Sequence, residues 1–544
     1  MKTPPPQRSH TLQPSTTANF LATTALIGLT LLPLCSTAEN SEVVAEPANR
    51  TTSAADSSPT APIQGLWTKL SSTVNNAVSG KRDKAQITDL KPGVYEPSTE
   101  ALGDERDVSE QRVKGFGLVN LPELASYANG VLDKLKAESG VKKVPGRVLL
   151  VVRPGLEAAS TPDGNILISL DWFNSLESED ELAALLAHEL SHILLRHHDS
   201  NIFSKIQKQI QSLFSMGIQV HSALDRATGG TTGATLTQGQ RNALLKMELY
   251  IKLTDGALHP AWNRRQELEA DKLAIDLTQR AKYSYSNGVK SWLEKIRQWD
   301  LLQDAKRQAL QLESQSVVAE LVSSGKIDQG VKRGLSDVFN RVVEQLSHTH
   351  DGGEKRVDEA QLYVETVYPD LSKQQANKAD FQNVMSGQVT NRSLKAYRQT
   401  FDALAAIESL SYSKAVELLG PVVARNSPIA SHAVPNFLMY QALTSMNRDK
   451  DAMIYLNRSF EAAEPAWKPF DLAADYYKTA DPSKIIPLGQ QAMARFQQAP
   501  AVYPSLVGMY ARTGQTEAMK QVLSACLLGY VQYRDDCNKA AQLK

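Results

Sequence analysis

One run of five residues carries the chemistry: His188-Glu189-Leu-Ser-His192. It lies in an apolar stretch of good helix formers that opens Glu181-Leu-Ala-Ala-Leu-Leu-Ala, with Ser178 or Asp180 placed to cap its start. Residues four apart on a helix lie ~40° apart in projection and one turn along, so both imidazoles face the same way. At that spacing each can give a nitrogen to one Zn²⁺ at ~2.0–2.1 Å. Glu189, one step round, is placed to take a proton from water whose pKa such an ion lowers toward ~7. This is the spacing of a water-activating metallopeptidase. The pattern also arises by chance, but two histidines and a glutamate in an apolar helix are costly unless something satisfies them. A metal does so.

A third ligand is needed. His198 lies ten residues after His188, as in a longer three-histidine pattern, but that pattern needs a glycine where this chain has Leu195. A continuing helix carries His198 ~15 Å along its axis, so His197 and His198 read as helix-end cations suited to the dipole. The stronger candidate is Arg265-Gln-Glu267-Leu-Glu269-Ala-Asp271-Lys-Leu-Ala-Ile-Asp-Leu277, a second helix with Glu267 and Asp271 on one face. One carboxylate on the metal and another on a ligand histidine's second N–H is a recurrent zinc-site design. Glu269 is the competitor, ~200° round from Glu267. A solvated charged helix is the alternative.

The two motifs together, HExxH and Glu-x-Glu-Ala-Asp, resemble metallopeptidase family forty-eight, the HtpX-like and CAAX-prenyl-protease-like zinc endopeptidases. The resemblance implies Glu267 as third ligand to one zinc per chain and Asp271 behind the ligands. It also implies a later His-Pro-x-x-x-x-Arg element. Here Asp351 replaces the proline, between His350 and Arg356. By the same resemblance His350 gates the metal and Arg356 lies near the substrate or transition state, where either helps to stabilise the oxyanion. A solvated loop is the alternative for both.

The positioning elements are legible in outline. Leu124, Tyr127, Ala128, Val131 and Leu135 give helical periodicity over 121–137. Val148–Val152 reads as a buried strand, and Asn165–Leu170 as a second, chosen here as the edge strand to which substrate adds. An amphipathic helix is expected over Ile202–Leu224, packing on the core, capping the cleft or touching a membrane. Gly229–Gly233 is too irregular for a phosphate loop, and His221 and His259 have no ligand spacing. A further helix begins in Ser286–Lys295.

From about Asn391 the chain is helix after helix. Ala415, Ala452 and Ala518 sit in similar settings, and the last two are 66 residues apart, twice 33. That period resembles tetratricopeptide (TPR) helix pairs. An unrelated helical bundle is the alternative.

With 544 residues there is room for two or three domains. Lys+Arg and Asp+Glu both number 59, so no basic excess points to nucleic acid. Lys2 and Arg8 precede an apolar run, Phe20–Leu34, too short to span a bilayer comfortably and followed by Ser36-Thr37-Ala38. This reads as a secretory signal cut after Ala38. A lipid anchor at Cys35 and an uncleaved anchor are the rivals. Residues 39–62 are rich in Ser, Thr, Ala and Pro and read as linker. An oxidising compartment would favour a disulfide between Cys526 and Cys537, and two free buried thiols are the alternative.

The expected fold is α+β and predominantly helical. It comprises a signal peptide (1–38), a linker and N-terminal extension (39–112), a zincin-type domain with a small sheet (113–369) and an all-α TPR-like domain (370–544). The expected function is that of an exported zinc metalloendopeptidase. The layout resembles periplasmic proteases that degrade or chaperone misassembled outer-membrane proteins. That resemblance implies unfolded or misassembled protein substrates, the envelope assembly machinery as partner, and a periplasmic location with possible peripheral membrane contact. The alternative is a chaperone or scaffold whose metal site is latent or gated.

Overall fold

A computed structural model describes residues 84–113, 117–199, 262–302, 353–371 and 374–542, with isolated helical positions at 305, 308 and 312, all within the unit Lys69–Lys544. The expected signal segment and linker, Ile202–Leu224, Gly229–Gly233, His221, His259 and His350 lie outside the described residues.

The segment ahead of the zincin-type region, in which no chemistry was read, is built into the fold from residue 84. β1 (Gly93–Val94) pairs in parallel with β2 (Val141–Lys142). Helix α1 (Asp104–Val113) places Asp107 so that it accepts from Thr161 Oγ1 at 2.6 Å and Asn165 Nδ2 at 2.8 Å. Helix α2 (Pro122–Glu138) follows the expected periodicity and buries Leu124, Ala128, Val131, Leu132 and Leu135. Pro122 suits its first turn, where no backbone donor is needed.

A three-stranded sheet comes next: β3 (Val148–Val151), β4 (Ala158–Ser160) and β5 (Ile166–Ser169), in the order β3-β5-β4. β5 is parallel to β3 and antiparallel to β4. This corrects the choice of Asn165–Leu170 as the edge strand. β5 is central, and its unbroken apolar run reflects burial of every residue. β4 is the edge, Ala-Ala-Ser, too short to show a pattern, and it packs beside the HExxH helix.

Helix α3 (Leu170–Ser175) leads into α4 (Glu179–Leu194), which carries HExxH and is buried from residue 179 to 193. Helix α5 (Arg264–Arg280) packs along α4 and carries the second motif. Helix α6 starts at residue 289, and α7 (Gly353–Val367) lies against α5.

The C-terminal region is helical: α8 (Ala379–Ser386), α9 (Gln388–Glu408), α10 (Tyr412–Val422), α11 (Ala433–Ser445), α12 (Asp449–Phe460), α13 (Lys468–Ala480), α14 (Ile485–Arg495), α15 (Val502–Arg512), α16 (Thr516–Gly529) and α17 (Arg534–Ala540). Sequential helices pack on one another. Ala415, Ala452 and Ala492 are fully buried on α10, α12 and α14, where a small side chain lets the neighbouring helix approach. Ala492 is 40 residues after Ala452 and 26 before Ala518, so a 33-residue period is only an average. Cys526 and Cys537 form a disulfide between α16 and α17.

The apolar cluster around α4 and α5 continues into these helices, with α9 packed on α3. Polar contacts join the same regions. Arg112 Nε donates to Glu464 at 3.1 Å, and the Tyr533 hydroxyl donates to Glu110 at 2.8 Å. Among the described residues no helix is long and apolar enough to cross a membrane.

Candidate metal centre

Both ends of α4 are fixed by specific contacts. Ser178 Oγ accepts from Glu181 N at 3.3 Å, the cap expected from sequence. Asp180 accepts from Ser284 N at 2.7 Å, and Gly288 lets this loop close in. A Cβ there would stand 2.8 Å from the Asp180 carbonyl oxygen.

At its other end α4 stops at Leu194, two residues after His192, and Arg196 adopts φ +54°. That left-handed residue reverses the chain. It is supported by donation from Arg196 Nε to Asp199 Oδ2 at 2.6 Å and from Nη1 to Glu96 Oε2 at 3.2 Å. The reversal brings His197 Nδ1 to 2.8 Å from His192 Nδ1. His198 turns the other way, its Nε2 lying 3.0 Å from the Ser160 carbonyl of β4.

The reading of His197 and His198 as helix-end cations is therefore corrected. Both are buried, and burial lowers each pKa to about 4, outweighing the carboxylates Glu269 and Glu267 in the case of His197. They are neutral imidazoles at neutral pH. The helix ends because a non-glycine residue supplies the turn.

Helix α5 opens with a capping box, Asn263 Oδ1 accepting from Gln266 N and Gln266 Oε1 from Asn263 N. Its last turns are anchored by buried Asp276, which accepts from the Tyr363 and Tyr368 hydroxyls and from Ile87 N. The face carrying Glu267 and Asp271 is thereby held against α4.

His188, His192 and Glu267 converge, all buried, with one potential ligand atom from each lying within 4.8 Å of the others. His188 Nε2 and His192 Nε2 are 3.1 Å apart. Glu267 Oε2 lies 3.5 Å from the first and Oε1 3.8 Å from the second. Asp271 Oδ1 lies 2.9 Å from His188 Nδ1. A carboxylate there accepts from Nδ1–H, which leaves His188 Nε2 as a lone pair aimed at the common point. Glu189 is buried beside His188 on α4.

Two indoles wall the site. Trp262 stacks on His192 with centroids 4.5 Å apart, and Trp292 of α6 packs on His188 at 5.0 Å.

Arg356 of α7 is buried in the same cluster. Its Nε and Nη2 donate to Asp271 at 2.8 and 2.7 Å, and Nη1 stands 2.9 Å from Glu267 Oε2. Burial alone would raise the Asp271 carboxyl, but Arg356 and His188 hold it well below the usual carboxylate range. The structure thus places Arg356 against the carboxylates of Asp271 and Glu267, as deeply buried as the candidate ligands themselves. Sequence spacing missed His197, Trp262 and Trp292, and no spacing rule would have found them.

The residues fit a divalent cation on geometry and donor type: two imidazole nitrogens and a carboxylate oxygen converge in one buried place, with a second carboxylate, Glu189, beside them.

Residues 123–364 match the family model of peptidase family M48. The chain is 24% identical over 211 residues to the Beta-barrel assembly-enhancing protease of Escherichia coli (strain K12), covering 38% of this chain and 40% of that protein. It is 26% identical over 183 residues to the protein of the same name from Yersinia pestis, covering 33% and 34%. The chain thus spans less than half the length of the curated relatives it matches.

Proposed function

We propose that the chain, whose residues 123–364 form a domain of peptidase family M48, is an exported zinc metalloendopeptidase of envelope protein quality control. The observation that carries this reading is the buried convergence of His188, His192 and Glu267 beside Glu189. A zinc ion held by those three side chains would polarise a scissile carbonyl and make water acidic enough to be deprotonated at neutral pH.

Glu189 is the general base. Its carboxylate takes the proton of the attacking water and returns it to the leaving amine. Asp271 fixes the ring of His188, and Arg356 holds Asp271 and Glu267 in place. Arg356 is thus a positioning residue, and oxyanion stabilisation falls to other groups. His350 keeps the gating role that the resemblance implies.

Extended substrate adds to β4. In its antiparallel register, Thr161 N donates to Asn165 O and Ser169 N to Glu157 O, so Ala158 and Ser160 turn their backbone groups away from β5. Ser160 O is engaged by His198. The remaining outward groups suit an added strand.

The name of the relatives supports substrates and partners at β-barrel assembly in the envelope. The C-terminal helices, read as TPR-like pairs, are the partner-binding part. The test is cleavage of casein by residues 39–544 after chelation and after restoring Zn²⁺. Loss and recovery of cleavage support the enzyme. Cleavage indifferent to both refutes it.

A further inference from the structure

A second histidine arm backs the candidate metal ligands, built from residues outside both motifs' assigned roles. His192 Nδ1 faces His197 Nδ1 at 2.8 Å, and His197 Nε2 faces Glu269 Oε2 at 3.5 Å. Glu269 is held in turn by Arg265, whose Nε donates to Oε1 at 2.8 Å. We propose that His197 and Glu269 are positioning residues that fix the tautomer and orientation of His192, as Asp271 does for His188. The inference rests on the metal-centre reading above.

Proton bookkeeping leads to it. Two imidazole nitrogens at 2.8 Å share one proton between them. His192 Nε2 is the atom turned toward His188 Nε2 and Glu267, and it can ligate only as a lone pair. The proton of His192 then sits on Nδ1 and is donated to His197 Nδ1. The proton of His197 is left on Nε2, on the side of Glu269. Each ring nitrogen of the relay thereby has a single role.

Packing leaves little freedom to change it. His197 is 6% exposed, its ring stands edge-on to His192 at 4.9 Å, and Trp262 covers both rings. An apolar residue at 197 would leave the Nδ1–H of His192 buried without its acceptor. The other tautomer of His192 would put hydrogen on the nitrogen that must ligate.

The experiment measures Zn²⁺ affinity of the full chain by chelator competition, with Co²⁺ visible absorption as a report on ligand geometry. The variants are His197→Leu, His197→Gln and Glu269→Gln, each checked for folding in metal-free form. Loss of a partner behind a metal ligand weakens affinity about 10–100-fold. That is the result expected for His197→Leu, with an altered Co²⁺ spectrum. His197→Gln, which restores an acceptor, should recover part of the loss. Glu269→Gln should weaken binding less than His197→Leu.

Affinity within about twofold of the parent in a folded His197→Leu chain, against the loss expected from that principle, overturns the relay. If that variant does not fold, Glu269→Gln decides, since Glu269 is partly exposed and outside the core, and unchanged affinity there overturns the relay. A parent chain that binds no Zn²⁺ overturns the metal centre itself, a separate outcome.

Discussion

The guanidinium of Arg356 holds both carboxylate oxygens of Asp271, at 2.8 and 2.7 Å, and Asp271 in turn lies 2.9 Å from Nδ1 of His188. Residues 85 positions apart in sequence thus set the ring that is to face a metal. The same guanidinium reaches Glu267, so one cation organises both carboxylates on the inner face of α5.

Removing that cation should be severe. Arg356→Met leaves Asp271 and Glu267 buried against each other, and breaking a buried pair from one side costs about 3–5 kcal/mol. Arg356→Lys should not rescue it, because an ammonium cannot match the two-point contact with Asp271. Denaturant unfolding and zinc content of both variants check this. A stable, metal-replete Arg356→Met chain would contradict it.

The turn after α4 gives a second prediction. Arg196 sits at φ +54°, where glycine is at ease and a β-branched residue is strained by about 1–3 kcal/mol. Arg196→Gly loses only partly exposed pairs to Asp199 and Glu96, worth about 0–1 kcal/mol each. It should therefore keep stability and zinc. Arg196→Val should lower the melting temperature and weaken zinc, because His197 is displaced. Calorimetry with and without metal separates the two.

Acid sensitivity should trace in part to Glu179. Burial alone would raise its carboxyl, but the Tyr127 and Tyr283 hydroxyls and Lys134 hold it below its ordinary 4.5. A depressed carboxyl stabilises the fold above its unfolded pKa, and that contribution is lost as pH falls through the folded value. Glu179→Gln should cost about 1–3 kcal/mol at pH 7, with the gap from wild type closing as pH falls below the carboxyl's ordinary 4.5 and through its lowered folded value. Urea unfolding at several pH values checks it, and a pH-independent gap would contradict it.

Reducing Cys526–Cys537 opens a short loop and should cost about 2–3 kcal/mol of local stability. Tyr533 lies inside that loop and bonds Glu110 of α1, so hydrogen exchange should rise over 526–540 and over α1. Zinc content should not change. Exchange that rises equally along α4 would contradict a local effect.

The helices bearing His188, His192, Glu267 and Asp271 were legible from the i, i+4 spacing of their motifs, and the first also from its run of helix formers and its Ser178 cap. Their neighbours were not. The end of α4 depends on Arg196 taking a positive φ, which is supported by Glu96 from a hundred residues earlier. A helix run on past Leu194 therefore made His197 and His198 read as helix-end cations. β4 escaped notice because three small residues carry no alternation, and β5 was mistaken for the edge. Arg356 was read only from a motif, and its pairing with two carboxylates on another helix is something no local pattern encodes.

The central claim is that Glu189 moves the proton while His188, His192 and Glu267 hold the metal. The direct measurement is hydrolysis of an unfolded protein by wild type and Glu189→Gln, with zinc determined on both. The account predicts equal zinc and a loss of cleavage of at least about 10²-fold in the variant. Cleavage retained by Glu189→Gln, or no zinc on either chain, would contradict it.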